Sequence, residues 1–211
     1  MPKSQPPTIF IVDDDDDFRE TLRLPLESEG HVVKTFAAAD TFLETFEPGT
    51  PGCLLLDVRM PGLSGIALQE ELARRGIDLP IVFLTGYGEV PTAVRALKQG
   101  AVDFLQKPFE EEVLLERVSE ALSRDSSARG ARARAESVAA RYATLSERER
   151  EVMRRMVAGE ASKVIALDLE LSLKTVELHR RSVMQKMEAD SIPALVELAL
   201  VLEKSEPRGA G

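Results

Sequence analysis

Four apolar residues, Ile9 to Val12, run without a break into five consecutive aspartates, Asp13 to Asp17. The apolar run suits a strand buried on both faces. The aspartates that end it repel one another and raise one another's pKa unless a cation sits among them. Four more short apolar runs follow, at His31 to Thr35, Cys53 to Leu56, Ile81 to Leu84 and Val102 to Leu105. Between and after them, stretches 17–29, 39–46, 65–75, 91–99 and 110–122 carry helical spacing; Val113, Leu114, Arg117, Val118, Ala121 and Leu122, for instance, place an apolar stripe on one helix face. These β-α repeats predict an α/β domain, a doubly wound five-stranded parallel sheet of flavodoxin-like size, with ligands bound outside the carboxyl ends of the strands.

The strand ends therefore matter most. The first run ends in Asp13-Asp14 and the third in Asp57, the fourth is followed by Thr85-Gly86 and the fifth by Lys107-Pro108. Carboxylates, a hydroxyl and an ammonium thus gather at one edge. Mg²⁺ is the natural cation for such a set, because it takes a few carboxylate oxygens, keeps several waters and leaves room for a phosphoryl oxygen. Asp16 and Asp17 read as the start of the first helix, where acids favour the dipole. Asp15 fits either role.

The 211 residues carry a net charge of −9, and the acid is concentrated in the first half: residues 1–124 hold 12 basic and 22 acidic side chains, residues 138–202 ten of each. A neutral second half can still concentrate positive charge on one face. One cysteine, Cys53, excludes an internal disulfide and a cysteine-cluster zinc site, and two histidines exclude a polyhistidine site. No apolar run reaches the roughly 20 residues of a membrane span and the N-terminus lacks the apolar segment of a secretory signal, so the expected compartment is cytoplasmic. A G-x-x-x-x-G-K phosphate loop is missing, which argues against ATPase activity.

The expected organisation is a first domain over 1–122, a linker over 123–140, a second domain over 141–204 and a tail over 205–211. The linker's Ala and Arg content also permits a helix, interrupted near Gly130. In the second domain Ser146 and Glu149 have capping-box spacing, and helical segments follow at about 147–157, 161–168, 173–187 and 192–203. On the third, Val176, His179, Val183 and Met187 form the inner face, with Lys174, Glu177, Leu178, Arg181 and Gln185 on the other side. Segment 172–187 sets Lys174, Arg180, Arg181 and Lys186 against Glu177 alone. His179 reads as a packed histidine, having no second ligand.

Four stretches of the first half, Ile9 to Asp14 (IFIVDD), Leu54 to Gly62 (LLLDVRMPG), Ile81 to Gly86 (IVFLTG) and Gly100 to Phe109 (GAVDFLQKPF), resemble the receiver domain of two-component response regulators. The resemblance implies that Asp57 is the phosphoacceptor, and that Asp13 and Asp14 hold Mg²⁺ with Asp57 and the main-chain carbonyl of Arg59. It implies that Thr85 binds the phosphoryl group, Lys107 pairs with it, and Lys107-Pro108 is a cis bond. Phe104 matches the aromatic that swings inward on phosphorylation, or is a core residue. The face formed by residues 91–109 would pair with a second receiver.

Leu145 to Glu149 (LSERE), Ser162 to Ala166 (SKVIA), Ser172 to His179 (SLKTVELH) and Val183 to Met187 (VMQKM) resemble the all-α, four-helix LuxR-type helix-turn-helix of the FixJ/NarL regulators. In such modules the second helix of the motif enters the major groove. That implies Glu177, Leu178 and Arg181 at base edges, and Lys163, Lys174, Thr175, Arg180 and Lys186 at phosphates. The last helix supplies either a dimer face or core. The expected function is a phosphorylation-dependent transcription regulator of a two-component system. Its partners would be a sensor histidine kinase, double-stranded promoter DNA and a second copy when phosphorylated, with RNA polymerase admitted and no membrane. The alternatives are a phosphate-sink or adaptor protein without sequence-specific DNA binding and, less favoured, a Mg-dependent phosphohydrolase, which leaves the second half unexplained.

Overall fold

The computed structural model describes residues 6–86 and 100–205. The expected helix over 91–99 lies outside the described residues, as does most of the tail. The chain divides into two units, Met1–Ala128 and Arg129–Gly211.

In the first unit, β1 (Thr8–Val12), β2 (Val32–Phe36), β3 (Gly52–Asp57), β4 (Ile81–Thr85) and β5 (Asp103–Gln106) form one sheet in the order β2-β1-β3-β4-β5. Every pairing is parallel, with Phe10 beside Leu54, Leu56 beside Phe83 and Phe83 beside Phe104. Successive strand residues point to opposite faces, and the apolar runs fill both. Phe10, Val12, Leu54, Leu56 and Phe83 join Phe42 of α2 (Ala39–Thr45) and Leu68 and Leu72 of α3 (Gly65–Arg74) in one core. Ile9, Ile11, Cys53, Leu55, Val82 and Leu84 join Leu22 and Leu26 of α1 (Asp16–Ser28) and Leu114 and Val118 of α4 (Glu111–Ala143) in the other. At about 1.5–3 kcal/mol for each fully buried large side chain, these two layers hold the sheet in place. The expectation of strands covered on both faces is corrected for β2 and β5, which are edge strands: Lys34 and Thr35 of β2 and Gln106 of β5 are exposed.

Two glycines of this unit sit where a side chain has no room. A Cβ on Gly52, at the start of β3, would lie 1.9 Å from the Thr8 carbonyl oxygen, and one on Gly65, at the start of α3, would lie 2.1 Å from that of Asp57.

Helix α4 runs for 33 residues and includes Gly130. Ala and Arg are strong helix formers, enough to carry the one glycine, which costs about 1 kcal/mol relative to Ala. Asp125, 3% exposed, accepts a hydrogen bond from the Gly52 N–H at 2.9 Å.

In the second unit Val138 of α4 packs with residues of α5 (Glu147–Val157), α6 (Ser162–Asp168), α7 (Leu173–Met187) and α8 (Ile192–Ser205), the buried centre being Val152, Met156, Ile165, Val176, Val183, Met187 and Leu195. The Ser146–Glu149 capping box is present at the start of α5. Among the described residues no helix is long and apolar enough to cross a membrane.

Candidate functional site

Three side chains that lie far apart in the sequence meet at the carboxyl edge of the sheet. Asp13 follows β1, Asp57 ends β3 and Lys107 follows β5, its backbone N–H bound to the Thr85 carbonyl at 2.7 Å. The Lys107 ammonium donates to Asp13 Oδ2 at 2.7 Å and to Asp57 Oδ1 at 2.6 Å. Each carboxylate has a second backbone donor, Asp15 N–H to Asp13 Oδ1 at 3.0 Å and Arg59 N–H to Asp57 Oδ2 at 2.7 Å. Both carboxylates are buried.

Burial pushes the Asp57 carboxyl above the usual range; Lys107 and the Arg59 amide pull against that rise, and Asp13 adds to it. Burial works to lower the Lys107 pKa, but the two carboxylates more than reverse it and the ammonium is held in its charged form. The peptide bond between Lys107 and Pro108 is cis.

Thr85, at the end of β4, is fully buried, and its hydroxyl donates to the Leu105 carbonyl at 3.4 Å. Phe104 is half-buried against the core that holds Phe83. Asp14 and Arg59 are exposed. Asp15 caps α1, its Oδ1 accepting from Phe18 N–H at 3.0 Å, and Asp16 and Asp17 form the first turn.

Among the described residues no three or more His, Cys, Asp or Glu side chains stand close enough together to hold a metal ion. The donor set nevertheless fits Mg²⁺, which is bound through one or two carboxylates, with water and phosphate completing the octahedron. Asp13 and Asp57 supply such a pair of hard oxygens.

In the second unit, Ser172 caps α7 by accepting from Thr175 N–H at 3.1 Å, and its hydroxyl shares a 2.8 Å hydrogen bond with that of Thr175. Val176, Val183 and Met187 are buried beneath α7, His179 is half-buried, and Lys174, Glu177, Leu178 and Arg181 are exposed on its outer side. Arg180 and Thr175 are half-buried, and Lys163 is exposed on α6. The Lys186 ammonium is bound within the unit, to Glu149 Oε2 at 2.7 Å and the Thr144 carbonyl at 3.2 Å. Glu149 also accepts from Ser146 N–H at 2.7 Å and from the Ser182 hydroxyl. Burial would raise its carboxyl, but Lys186, Ser182 and Ser146 hold it down at about 2.

Sequence reasoning missed three residues. The Phe18 ring lies under the Lys107 ammonium, 4.0 Å from Nζ to the centroid. The Arg19 guanidinium donates to the Asp13 carbonyl. Asp125 binds the Gly52 amide across 73 residues of sequence. A short spacing from Asp13 was the sole sequence trace of the first two, and Asp125 left none.

The chain thus joins a parallel α/β unit, whose strand ends gather two buried carboxylates around a lysine, to a helical unit with a partly basic outer helix. Known families agree with both halves. Residues 9–119 match the response regulator receiver domain, and residues 143–199 match the bacterial regulatory proteins of the luxR family. The transcriptional regulatory protein FixJ of Azorhizobium caulinodans is 46% identical over 202 residues, covering 95% of this chain and 94% of that protein. FixJ of Rhizobium meliloti is 44% identical over 193 residues, covering 92% and 95%. Among solved structures, the response regulator StyR superposes with a TM-score of 0.84 at 43% identity over 93% of this chain and 99% of that one. Full-length FixJ from B. japonicum gives 0.58 at 41% identity over 94% and 98%. The chain belongs to the FixJ-like response regulators, which join a receiver domain to a LuxR-type DNA-binding domain and regulate transcription. The receiver implies a sensor kinase as partner and the second domain implies DNA; the family is one of regulators and not of classical enzymes.

Proposed function

We propose that Asp57 is the phosphoacceptor and that a sensor histidine kinase supplies the phosphoryl group. The observation that carries this reading is the Lys107 ammonium held at 2.7 and 2.6 Å from Asp13 and Asp57. In the transfer, an Asp57 oxygen bonds to phosphorus as the bond to the donor breaks. Lys107 stays within reach of the phosphoryl oxygens and offsets their charge as a point cation. Asp13 and Asp57, with Asp14 and the Arg59 carbonyl, would hold Mg²⁺, which when bound neutralises charge on the transferring group. The Thr85 hydroxyl leaves the Leu105 carbonyl for the phosphoryl group, and Phe104 turns inward behind it.

Receiver pairing follows, over the face that includes β5. The two second domains of such a dimer then bind two half-sites far more tightly than one domain binds one. Lys174, Thr175, Arg180 and Lys163 would contact phosphates of promoter DNA, with Glu177, Leu178 and Arg181 at base edges. RNA polymerase would be met at the promoter, in the cytoplasm.

The test compares wild type with Asp57→Asn, in Mg²⁺ with and without acetyl phosphate, by light scattering and by titration of a selected DNA site. Dimerisation and tighter DNA binding confined to phosphodonor-treated wild type support the reading. Equal behaviour of the two proteins removes Asp57 as the switch. Phosphorylation without sequence-specific DNA binding favours the adaptor, and steady turnover of a free phosphate ester the phosphohydrolase.

A further inference from the structure

An ammonium has three N–H donors and no acceptor. Two of those of Lys107 are directed to Asp13 and Asp57. The remaining side of the group faces the ring of Phe18, whose centroid is 4.0 Å from Nζ. That distance lies well inside the range over which a ring quadrupole attracts a cation. The ring is itself held from two directions. Asp15 Oδ1 accepts the Phe18 N–H at 3.0 Å, fixing the first turn of α1. Phe109, two residues beyond Lys107, meets the ring edge to face, with centroids 6.1 Å apart and planes at 78°.

We infer that Phe18 is a positioning residue for phosphoryl transfer: its ring face holds the Lys107 ammonium between Asp13 and Asp57 and covers it against solvent. An aliphatic side chain of similar size fills the same space, but it carries no negative face toward the cation. Without that hold the ammonium samples other rotamers, and transfer loses part of its preorganised charge. The inference rests on the reading of Asp57 as phosphoacceptor.

The affected step is attack of an Asp57 oxygen on the phosphorus of acetyl phosphate, forming the Asp57 O–P bond and breaking the acyl O–P bond, with acetate leaving. Its rate is measured on the full chain in saturating Mg²⁺ for wild type, Phe18→Leu, Phe18→Tyr and a protein carrying 3,4,5-trifluorophenylalanine at position 18. Fluorination leaves the shape nearly unchanged and removes the negative ring face, so this last protein separates electrostatic holding from packing. Asp57→Asn serves as the control for the site of modification. The expected result is a rate about 3- to 30-fold lower for the leucine and trifluoro proteins, with the tyrosine protein near wild type. A trifluoro protein as fast as wild type overturns the inference while leaving the Asp57 reading intact, whatever the leucine protein does. Wild type that takes up no more phosphoryl group than Asp57→Asn overturns the Asp57 reading, and the role of Phe18 falls with it.

Discussion

Glu149 and Lys186 are joined by a 2.7 Å ion pair that ties the start of α5 to the end of α7. The carboxylate is buried and meets three donors, the Ser146 N–H, the Ser182 hydroxyl and the Lys186 ammonium; the Ser146 hydroxyl in turn accepts from the Glu149 N–H. Replacing Glu149 by Gln removes the charge on which the pair depends and costs about 1.5–3 kcal/mol in urea unfolding at neutral pH. The carboxyl is held at about 2 in the folded chain, well below its ordinary value. Its contribution is therefore present above the unfolded pKa and fades as pH falls toward about 2. The stability difference between wild type and Glu149→Gln should shrink over that interval; a difference constant in pH would show that the charge is not what matters.

Engagement of Lys186 with Glu149 separates it from the exposed cations of α7. Lys174→Ala should weaken DNA binding uniformly across sequences and reduce the slope of log affinity against log salt by about 1. Arg181→Ala should relax discrimination at one base pair, worth about 1–3 kcal/mol. Lys186→Ala should instead lower the stability of the second domain while leaving the salt slope of the folded protein unchanged. Titrations at three salt concentrations distinguish these outcomes.

At the carboxyl edge of the sheet, Lys107→Ala strands two buried carboxylates without their shared cation. Breaking such a pair from one side costs about 3 kcal/mol or more. Adding Asp57→Asn to Lys107→Ala removes one of the stranded charges, and the double variant should recover part of the loss in thermal unfolding without Mg²⁺. Additive effects of the two substitutions would refute a direct coupling between the residues.

The Asp125 carboxylate gives a local readout. Asp125→Ala leaves the Gly52 N–H without its acceptor at 2.9 Å. Hydrogen exchange of the Gly52 amide should then speed up, with a stability loss of about 1–3 kcal/mol. Unchanged protection at Gly52 would mean that another group takes over the bond.

Periodicity reported the alternation of strands and helices because each strand buries both faces where it lies inside the sheet, and Asp13, Asp57 and Lys107 stood out because strand ends converge. The edge strands β2 and β5 were harder to read, since an apolar run does not reveal that one side has no neighbour. Lys186 looked like its basic neighbours on α7, and only the fold brings Glu149, 37 residues earlier, to its ammonium. Asp125 was invisible for the same reason, and Phe18 showed only its short spacing from Asp13: the partners of both are set by tertiary packing. The helical state of 123–135 was open from composition, where Ala and Arg favour a helix and Gly130 opposes it.

The strand that carries Asp57 is gauged by two vacancies. At Gly52 the first strand's backbone comes so near that a single added carbon would collide with the Thr8 carbonyl, and at Gly65 the same is true of the Asp57 carbonyl itself. The reach of the Asp57 carboxylate beyond the sheet is thus governed from both sides by atoms that must be missing. A methyl group at Gly65 would displace the very backbone from which Asp57 hangs, and one at Gly52 would push apart the two strands that carry Asp13 and Asp57.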